Sequence, residues 1–367
     1  MRKEFGMLCA LLAMCAVIAG SNSDFIGQAN VLNTTRQVAM LGIFAIGVGF
    51  VIITGGIDLS IGSVIGLTGV IIAKFSAPLV GDGSASGAGL PIWIGIGAAM
   101  GVALTIGLVQ GLLITRLNLQ PFIVTLGGML TIKGISQTIT GGGNISFLDS
   151  SFRNLGDEGL RLFAGVQIPY PVLMYLAVAL VATYVLHFSV FGRHLYAIGG
   201  NREAALYSGV PVKRVETITY VISSGLAGVA GIAYAAYIGQ MTHTVGESYE
   251  LYAITSAVLG GCSLRGGEGS VLGMFIGAAI IRVMENGINM FKLTWTDQQH
   301  HLHTWRLDEN WKNIIIGLVI LAAVILDQVS HMLRNRKRTL SAGAGAAPAS
   351  APTPPPPPLP PAVAPGG

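Results

Sequence analysis

Long apolar stretches separated by short polar turns run through almost the whole chain. A helix needs about 20 mostly apolar residues to cross a bilayer, fewer where a short re-entrant piece shares the crossing. Ten stretches meet that description: 5–20, 38–54, 57–74, 91–114, 121–140, 169–188, 217–238, 250–262, 269–286 and 311–328. The eighth is short enough to be re-entrant. The pattern predicts an all-α fold, a polytopic transmembrane helical bundle of about ten spans.

Composition agrees. Of 367 residues, 52% are apolar and 10% charged, where an average soluble domain carries about 25% charged residues; a water-facing surface cannot be built from so few. The 51 glycines suit membrane helices, which use small residues to bring backbones together.

The formal net charge is +4, but the basic residues cluster in particular loops and form no stripe, which leaves nucleic-acid binding without support. With the amino terminus inside, Arg2, Lys3, Arg116, Arg193, Arg202, Lys213, Arg214, Arg265 and the run Arg334–Arg338 fall on the cytoplasmic side. Fewer fall opposite: Arg36, Arg153, Arg161, Lys292, Arg306 and Lys312, with Lys74 at the edge. The positive-inside rule then places both termini in the cytoplasm. Arg2 and Lys3 ahead of Met7–Gly20 also fit a cleaved signal peptide, which would leave the later topology unchanged. Residues 1–335 read as one transmembrane domain; 336–367 read as a disordered Ala/Pro-rich cytoplasmic tail. The three cysteines, Cys9, Cys15 and Cys262, lack metal or redox spacing and read as small buried hydrophobes.

Four blocks carry recognisable motifs. The first is Gly55-Gly56-Ile57-Asp58-Leu59-Ser60-Ile61-Gly62-Ser63. Here Asp58 lies just ahead of an apolar helix, where a carboxylate caps exposed N–H groups and meets the positive end of the dipole. The second, Gln120–Gly127, opens the fifth stretch. The third is Phe191-Gly192-Arg193 with Ala197-Ile198-Gly199-Gly200-Asn201-Arg202-Glu203-Ala204-Ala205 and Ser208-Gly209-Val210. The fourth is Tyr249-Glu250-Leu251 with Val258-Leu259-Gly260-Gly261-Cys262-Ser263-Leu264-Arg265-Gly266-Gly267, continuing into Gly269–Gly273. Gly62–Gly66 is echoed by Gly269–Gly273, a hint of internal duplication of the kind transporters carry.

In this order, over roughly residues 38–328, the blocks resemble the permease family of ATP-binding-cassette (ABC) importers for ribose, xylose and related monosaccharides. The polar stretch 294–310 and the proline-rich tail depart from that family. The resemblance implies an inner-membrane, multi-pass permease subunit with no catalytic residue and no cofactor of its own. Its partners would be an ATPase subunit that binds ATP, a periplasmic sugar-binding protein, a second permease copy or a paralogue, and the lipid bilayer. No Gly-x-x-x-x-Gly-Lys-[Ser/Thr] loop occurs, and none of the seven lysines precedes serine or threonine, so ATP hydrolysis belongs to a different chain.

Within the loop 189–216, residues Asn201–Ser208 can form a short helix with Asn201 as cap, Glu203 in the first turn and Gly209 as stop. The resemblance implies that Asn201, Arg202, Glu203, Ala204, Ala205, Ser208 and Gly209 couple the permease to the ATPase; the plain reading is a basic loop that fixes topology. The motif turns are Gly55, Gly56, Asp58, Ser60, Gly260, Gly261, Ser263, Gly266 and Gly267. A sugar needs hydrogen-bond partners and aromatic surface along its path. Thr125, Thr131, Gln137, Tyr249, Tyr252, Asn286 and Asn289 supply such groups, each equally a helix-packing group, a cap or an interfacial anchor.

Among span charges, Lys133, Arg282 and Glu285 stand out, and Arg282 and Glu285 have the spacing to pair on one helical face near the outer boundary. His300-His301-Leu302-His303 offers imidazoles without a firm ligand set and reads as a loop framed by Trp295, Trp305 and Trp311 at the interface; no metal is expected. The competing classes are an ion- or proton-coupled secondary transporter, for which only Asp58 and Glu285 are available as relays, and a membrane enzyme, for which neither a nucleophile elbow nor paired span carboxylates occur.

Overall fold

The computed structural model describes residues 2–79, 87–146, 150–161, 167–296, 302–306, 311–322, 324, 325, 328 and 329. The chain divides into a helical unit, Met1–Asp327, and a C-terminal unit, Gln328–Gly367. Everything below concerns the first; the tail 336–367 lies outside the described residues.

The helices are α1 (Arg2–Ser21), α2 (Gln28–Ile53), α3 (Ile61–Ser76), α4 (Ile92–Arg116), α5 (Pro121–Thr140), α6 (Ser150–Asp157), α7 (Tyr170–Phe188), α8 (Val190–Gly200), α9 (Arg202–Tyr207), α10 (Val212–Ile238), α11 (Tyr249–Leu259), α12 (Val271–Met290) and α13 (Trp311–Ala322). A short 3-10 helix, Ser23–Ile26, and three two-stranded antiparallel ribbons complete the regular structure of the described residues. The ribbons are β1–β4 (Ile145–Ser146 with Gln240–Met241), β2–β3 (Gly159–Arg161 with Gln167–Pro169) and β5–β6 (Lys292–Thr296 with Leu302–Arg306).

Among the described residues, seven helices are long and apolar enough to cross a membrane: Glu4–Ser21 of α1, together with α2, α4, α5, α7, α10 and α12. The fold is therefore all-α and polytopic. Three of the ten expected stretches are shorter helices: α3, α11 and α13. For the third stretch the reason is local. The expected helix 57–74 starts late because Asp58 accepts the amide and hydroxyl of Ser60, which becomes the N-cap residue, so α3 begins at Ile61. The loop 189–216 is mostly helical as well, and α10 begins at Val212, ahead of the expected 217.

Helix α2 is the centre: every residue from Val38 to Ile53 is buried. A helix that is apolar on all sides belongs inside. Helices α7, α10, α11 and α12 all pack on it. The most extensive crossing is between α4 and α10, along a small-xxx-small ladder on α4, Gly95, Ala99, Ala103, Gly107 and Gly111, all buried, in which Ala103, Gly107 and Gly111 face α10 and Gly95 faces α3. A Cβ on Gly107 would come within 2.5 Å of the Tyr220 carbonyl oxygen, and one on Gly111 within 2.9 Å of that of Thr217. Without a hydrophobic driving force between helices in lipid, such close backbone approach is what holds them together. Thr115 and Thr217 close the same crossing with a hydroxyl–hydroxyl hydrogen bond of 2.8 Å.

At the periphery, α1 packs along α12, where a Cβ on Gly287 would meet the Ile18 side chain 2.6 Å away. Cys262 is buried as expected, but Cys9 is exposed, since among the described helices α1 packs chiefly on α12. The polar stretch expected as a loop at 294–310 contains the β5–β6 hairpin, in which Trp295 pairs with His303 and Leu293 with Trp305; His300 and His301 lie outside the described residues.

Candidate functional site: a glycine junction and a broken-helix centre

Three of the motif blocks meet at one point. After α2, Gly55 takes φ +81° and turns the chain. After α11, the turn 260–269 brings Gly266 and Gly267, both at positive φ, against the end of α2, where the Gly267 amide donates to the Ile53 carbonyl oxygen at 2.8 Å. The end of α8 fills the third side. A Cβ on Gly199 would overlap the Ile53 oxygen and the Gly267 nitrogen, and one on Gly266 would sit 2.8 Å from the Gly199 Cα and 2.9 Å from the Gly55 nitrogen. Three backbones thus touch with no side chain between them. Nearby, the Tyr196 hydroxyl donates to the Gly269 carbonyl oxygen at 2.8 Å, and Ser263 is buried within the turn. Gly260 approaches the Gly273 backbone so closely that a Cβ there would overlap it, whereas a Cβ on Gly261 would meet open space.

From this junction α9 projects. Asn201 accepts the Ala204 amide at 2.9 Å through its side chain, the Ser208 hydroxyl donates to the Ala204 carbonyl oxygen at 2.8 Å, and Gly209, at φ +81°, ends the turn. The cap and stop fall where the sequence predicts them. Arg202 makes a two-pronged ion pair with Glu216 of α10 at 2.7 and 3.1 Å, and that carboxylate raises the guanidinium pKa above its ordinary value. Ala205 is buried, Glu203 is exposed, and Leu206 and Tyr207 stand out at 53% and 86% exposure. A short, capped helix showing two large apolar side chains to its surroundings has the form of a docking element.

Asp58 lies deeper. It is fully buried, with Oδ1 accepting the Ser60 amide (2.9 Å) and Ser60 hydroxyl (2.7 Å) and Oδ2 accepting the Ser223 hydroxyl of α10 (2.7 Å). It binds Ser60, the N-cap residue of α3, and ties α3 to α10, which goes beyond the local capping expected from sequence. Asp58→Ala would strand two buried donors, the Ser60 amide and the Ser223 hydroxyl, each costing about 1–3 kcal/mol, while the Ser60 hydroxyl keeps the Gln110 Oε1 acceptor at 3.0 Å. It should lower the melting temperature in detergent by several degrees, whereas Asp58→Asn, which keeps an acceptor for Ser60, should fall well short of that.

The second non-helical segment, 239–248, runs between α10 and α11. Its Gly246, at φ +88°, lies against the Gly62 carbonyl oxygen in the first turn of α3; a Cβ on Gly66 would overlap the Val245 oxygen. Tyr249, the first residue of α11, stacks on Phe44, well inside α2, with centroids 6.1 Å apart. The amino-terminal ends of α3 and α11 therefore meet inside the bundle, where both helices are interrupted. Broken helices whose positive ends face a polar centre are a recurrent transporter device.

Beside this break stands Arg282, 4% exposed. It donates to Glu285 and, at 2.9 Å, to the Tyr234 hydroxyl, and its guanidinium lies 5.6 Å from the ring centroids of both Tyr249 and Tyr252. Lys312 of α13 reaches the other Glu285 oxygen at 2.9 Å. The Arg282–Glu285 pairing agrees with the sequence; its place does not, since Arg282 lies at the middle of α12 and not near its outer boundary. Asn286, one turn on, exchanges amide hydrogen bonds with Asn30 at 2.8 and 3.1 Å. Of the expected path residues, Tyr249, Tyr252 and Asn286 thus gather around Arg282. Thr125 is buried on α5, donating to its own Pro121 carbonyl at 2.9 Å, and Gln137 is exposed on α5. The sequence reading missed Tyr234 and the α4 ladder; the four-residue spacing of small residues was the available signal for the latter.

The family model described as "Branched-chain amino acid transport system / permease component" matches residues 30–324. The ribose import permease protein of Bacillus subtilis (strain 168) is 34% identical over 89% of this chain and 93% of its own. The ribose import permease protein of Escherichia coli (strain K12) is 34% identical over 87% and 92%. The galactose/methyl galactoside import permease protein of the same strain is 32% identical over 90% and 95%. No solved structure matches. With its apolar helices and a match across four-fifths of its length, the chain is a multi-pass inner-membrane protein that belongs to this family of transport-system permease components.

Proposed function

We propose that this chain is the membrane-spanning subunit of an ABC importer that carries a monosaccharide of the ribose class. The observation that carries the substrate class is near-full-length similarity to ribose and galactose permeases; the family description alone names amino acids. The protein is a transporter component and catalyses no reaction itself. ATP is hydrolysed by a separate subunit, and a periplasmic sugar-binding protein delivers the substrate.

In this reading α9 docks into the ATPase, and the glycine junction links its movement to α2, α8 and the α11–α12 turn. The seven long helices, with α3, α11 and α13 as shorter crossings, make ten and leave both termini in the cytoplasm. The permease works as a pair of copies or of related subunits. The exposed side of α5 supports this: it carries Thr131, Gln137 and Thr138, and nearby the half-buried Lys133 pairs with the exposed Glu247 at 2.8 Å. Charges and amides on a spanning helix are costly against lipid, so this face suits a water-lined path between two permease subunits. The sugar then passes the broken ends of α3 and α11 with the Tyr249–Tyr252–Asn286 cluster behind them.

The test is a coupling-helix variant. Gly209 sits at positive φ, which proline cannot adopt, so Gly209→Pro together with Glu203→Arg should abolish ATP-driven sugar uptake while the protein stays in the membrane at its normal amount. Undiminished uptake by that variant would refute the role of α9.

A further inference from the structure

We propose that the groove between the end of α4 and the start of α10 binds the headgroup of an anionic membrane phospholipid. Leu112 and Arg116 of α4 and Lys213, Arg214, Thr217 and Ile218 of α10 line it around a volume of about 200 Å³. Arg116, Lys213 and Arg214 are exposed, and none makes a hydrogen bond or ion pair with another side chain among the described residues. Among the described residues no acidic side chain lines the groove; the nearest in sequence, Glu216, is taken by Arg202. Three unneutralised cations in one small concavity call for an anion.

The level of the groove and its lower wall specify which anion. Arg116 is the last residue of α4, and Lys213 and Arg214 fall in the first turn of α10, both membrane-crossing helices. The cations therefore stand where hydrocarbon gives way to headgroups. The positive end of the α10 dipole and the negative end of the α4 dipole meet here and offset each other, which leaves the three side-chain cations to set the field. One turn further into the membrane, Leu112 and Ile218 are 39% and 44% exposed, a surface suited to an acyl chain and of no use to a free anion. Thr217 is already satisfied by the Lys213 carbonyl at 2.8 Å and by Thr115, so it forms a wall and leaves recognition to the cations. Basic pockets between transmembrane helices that hold lipid phosphates have this make-up.

Native mass spectrometry of the purified permease in detergent, titrated with phosphatidylglycerol or with phosphatidylcholine of the same acyl chains, tests the proposal. Phosphatidylglycerol should be retained preferentially. The Arg116→Gln/Lys213→Gln/Arg214→Gln variant should bind it at least roughly tenfold more weakly, with an unchanged melting temperature in phosphatidylcholine. If the triple variant folds poorly, the single variant Lys213→Glu should still show a clear loss. Inorganic phosphate at millimolar concentration should not compete. Equal phosphatidylglycerol retention by wild type and variants would overturn the proposal, and so would displacement by inorganic phosphate, which marks a free-anion site. So too would a triple variant that keeps its lipid but no longer co-purifies with an ATPase, which would assign the cations to that partner. None of these readouts depends on which solute is carried.

Discussion

Gly199→Ala should leave almost no transport activity and little folded permease in the membrane, although it adds one methyl group. The added Cβ would overlap the carbonyl oxygen of Ile53 and the amide nitrogen of Gly267, and both belong to backbone. Those two atoms also form the 2.8 Å hydrogen bond between the α2 end and the 260–269 turn, so making room for the methyl breaks that bond as well. The turn has little freedom to retreat, since Gly266 and Gly267 both sit at positive φ. Overpacking a well-filled site costs about 1–3 kcal/mol and more where backbone must move. Gly200→Ala is the control: a Cβ there meets nothing within 4 Å, and uptake and yield should stay near wild type. Comparing membrane yield and uptake for the two adjacent alanines separates a junction requirement from a general intolerance of substitution.

Arg282→Met should destabilise the bundle strongly for the opposite reason, by removing a charge that its surroundings are built to hold. It would leave the Tyr234 hydroxyl without its donor, take the cation from between Tyr249 and Tyr252, and leave Glu285 to Lys312 alone. Breaking a buried pair from one side costs about 3–5 kcal/mol, a drop of roughly 6–20 °C in the melting temperature of a protein of moderate size. Lys312 still neutralises Glu285 in that variant, so adding Glu285→Gln, which takes the carboxylate from Lys312, should deepen the loss. A single variant that melts like wild type would mean that Arg282 is hydrated or paired differently in the membrane.

Much of this arrangement is legible in the amino-acid order. The long apolar stretches mark the spanning helices, and Asn201 and Gly209 bound α9 because capping and positive φ are properties of a few residues. Arg282 and Glu285 find each other because they are one helical turn apart. The shortness of α11 is visible as a short apolar run. What escapes the sequence depends on which segments meet. Glycines at 55, 199 and 266 look alike in an apolar chain with 51 of them, and nothing local says that these three share one point. Asp58 reads as a cap because its partner across the bundle, Ser223, is far away in sequence. The echo between Gly62–Gly66 and Gly269–Gly273 also shifts in three dimensions: Gly62 follows the N-cap residue Ser60, whereas Gly269 precedes the N-cap residue Ser270. The feature common to both places is a glycine pair, then a serine N-cap, then a helix.

The same limit explains the path residues. Tyr249 and Tyr252 lie on one face of α11 by spacing, but their contact with Arg282 and Phe44 needs α12 and α2 beside them. Thr125 and Gln137, equally polar in sequence, part company because α5 is buried along one edge and exposed along the other.

Reconstitution into liposomes with the cognate ATPase subunit and sugar-binding protein tests the central claim most directly. Labelled ribose, galactose and leucine are offered in turn, with ATP supplied on the α9 side and ion gradients either collapsed or imposed. A monosaccharide should accumulate only with hydrolysable ATP, unaffected by ionophores, and leucine should not. Sugar accumulation driven by an ion gradient without ATP, or uptake of leucine in place of every sugar, would contradict the account.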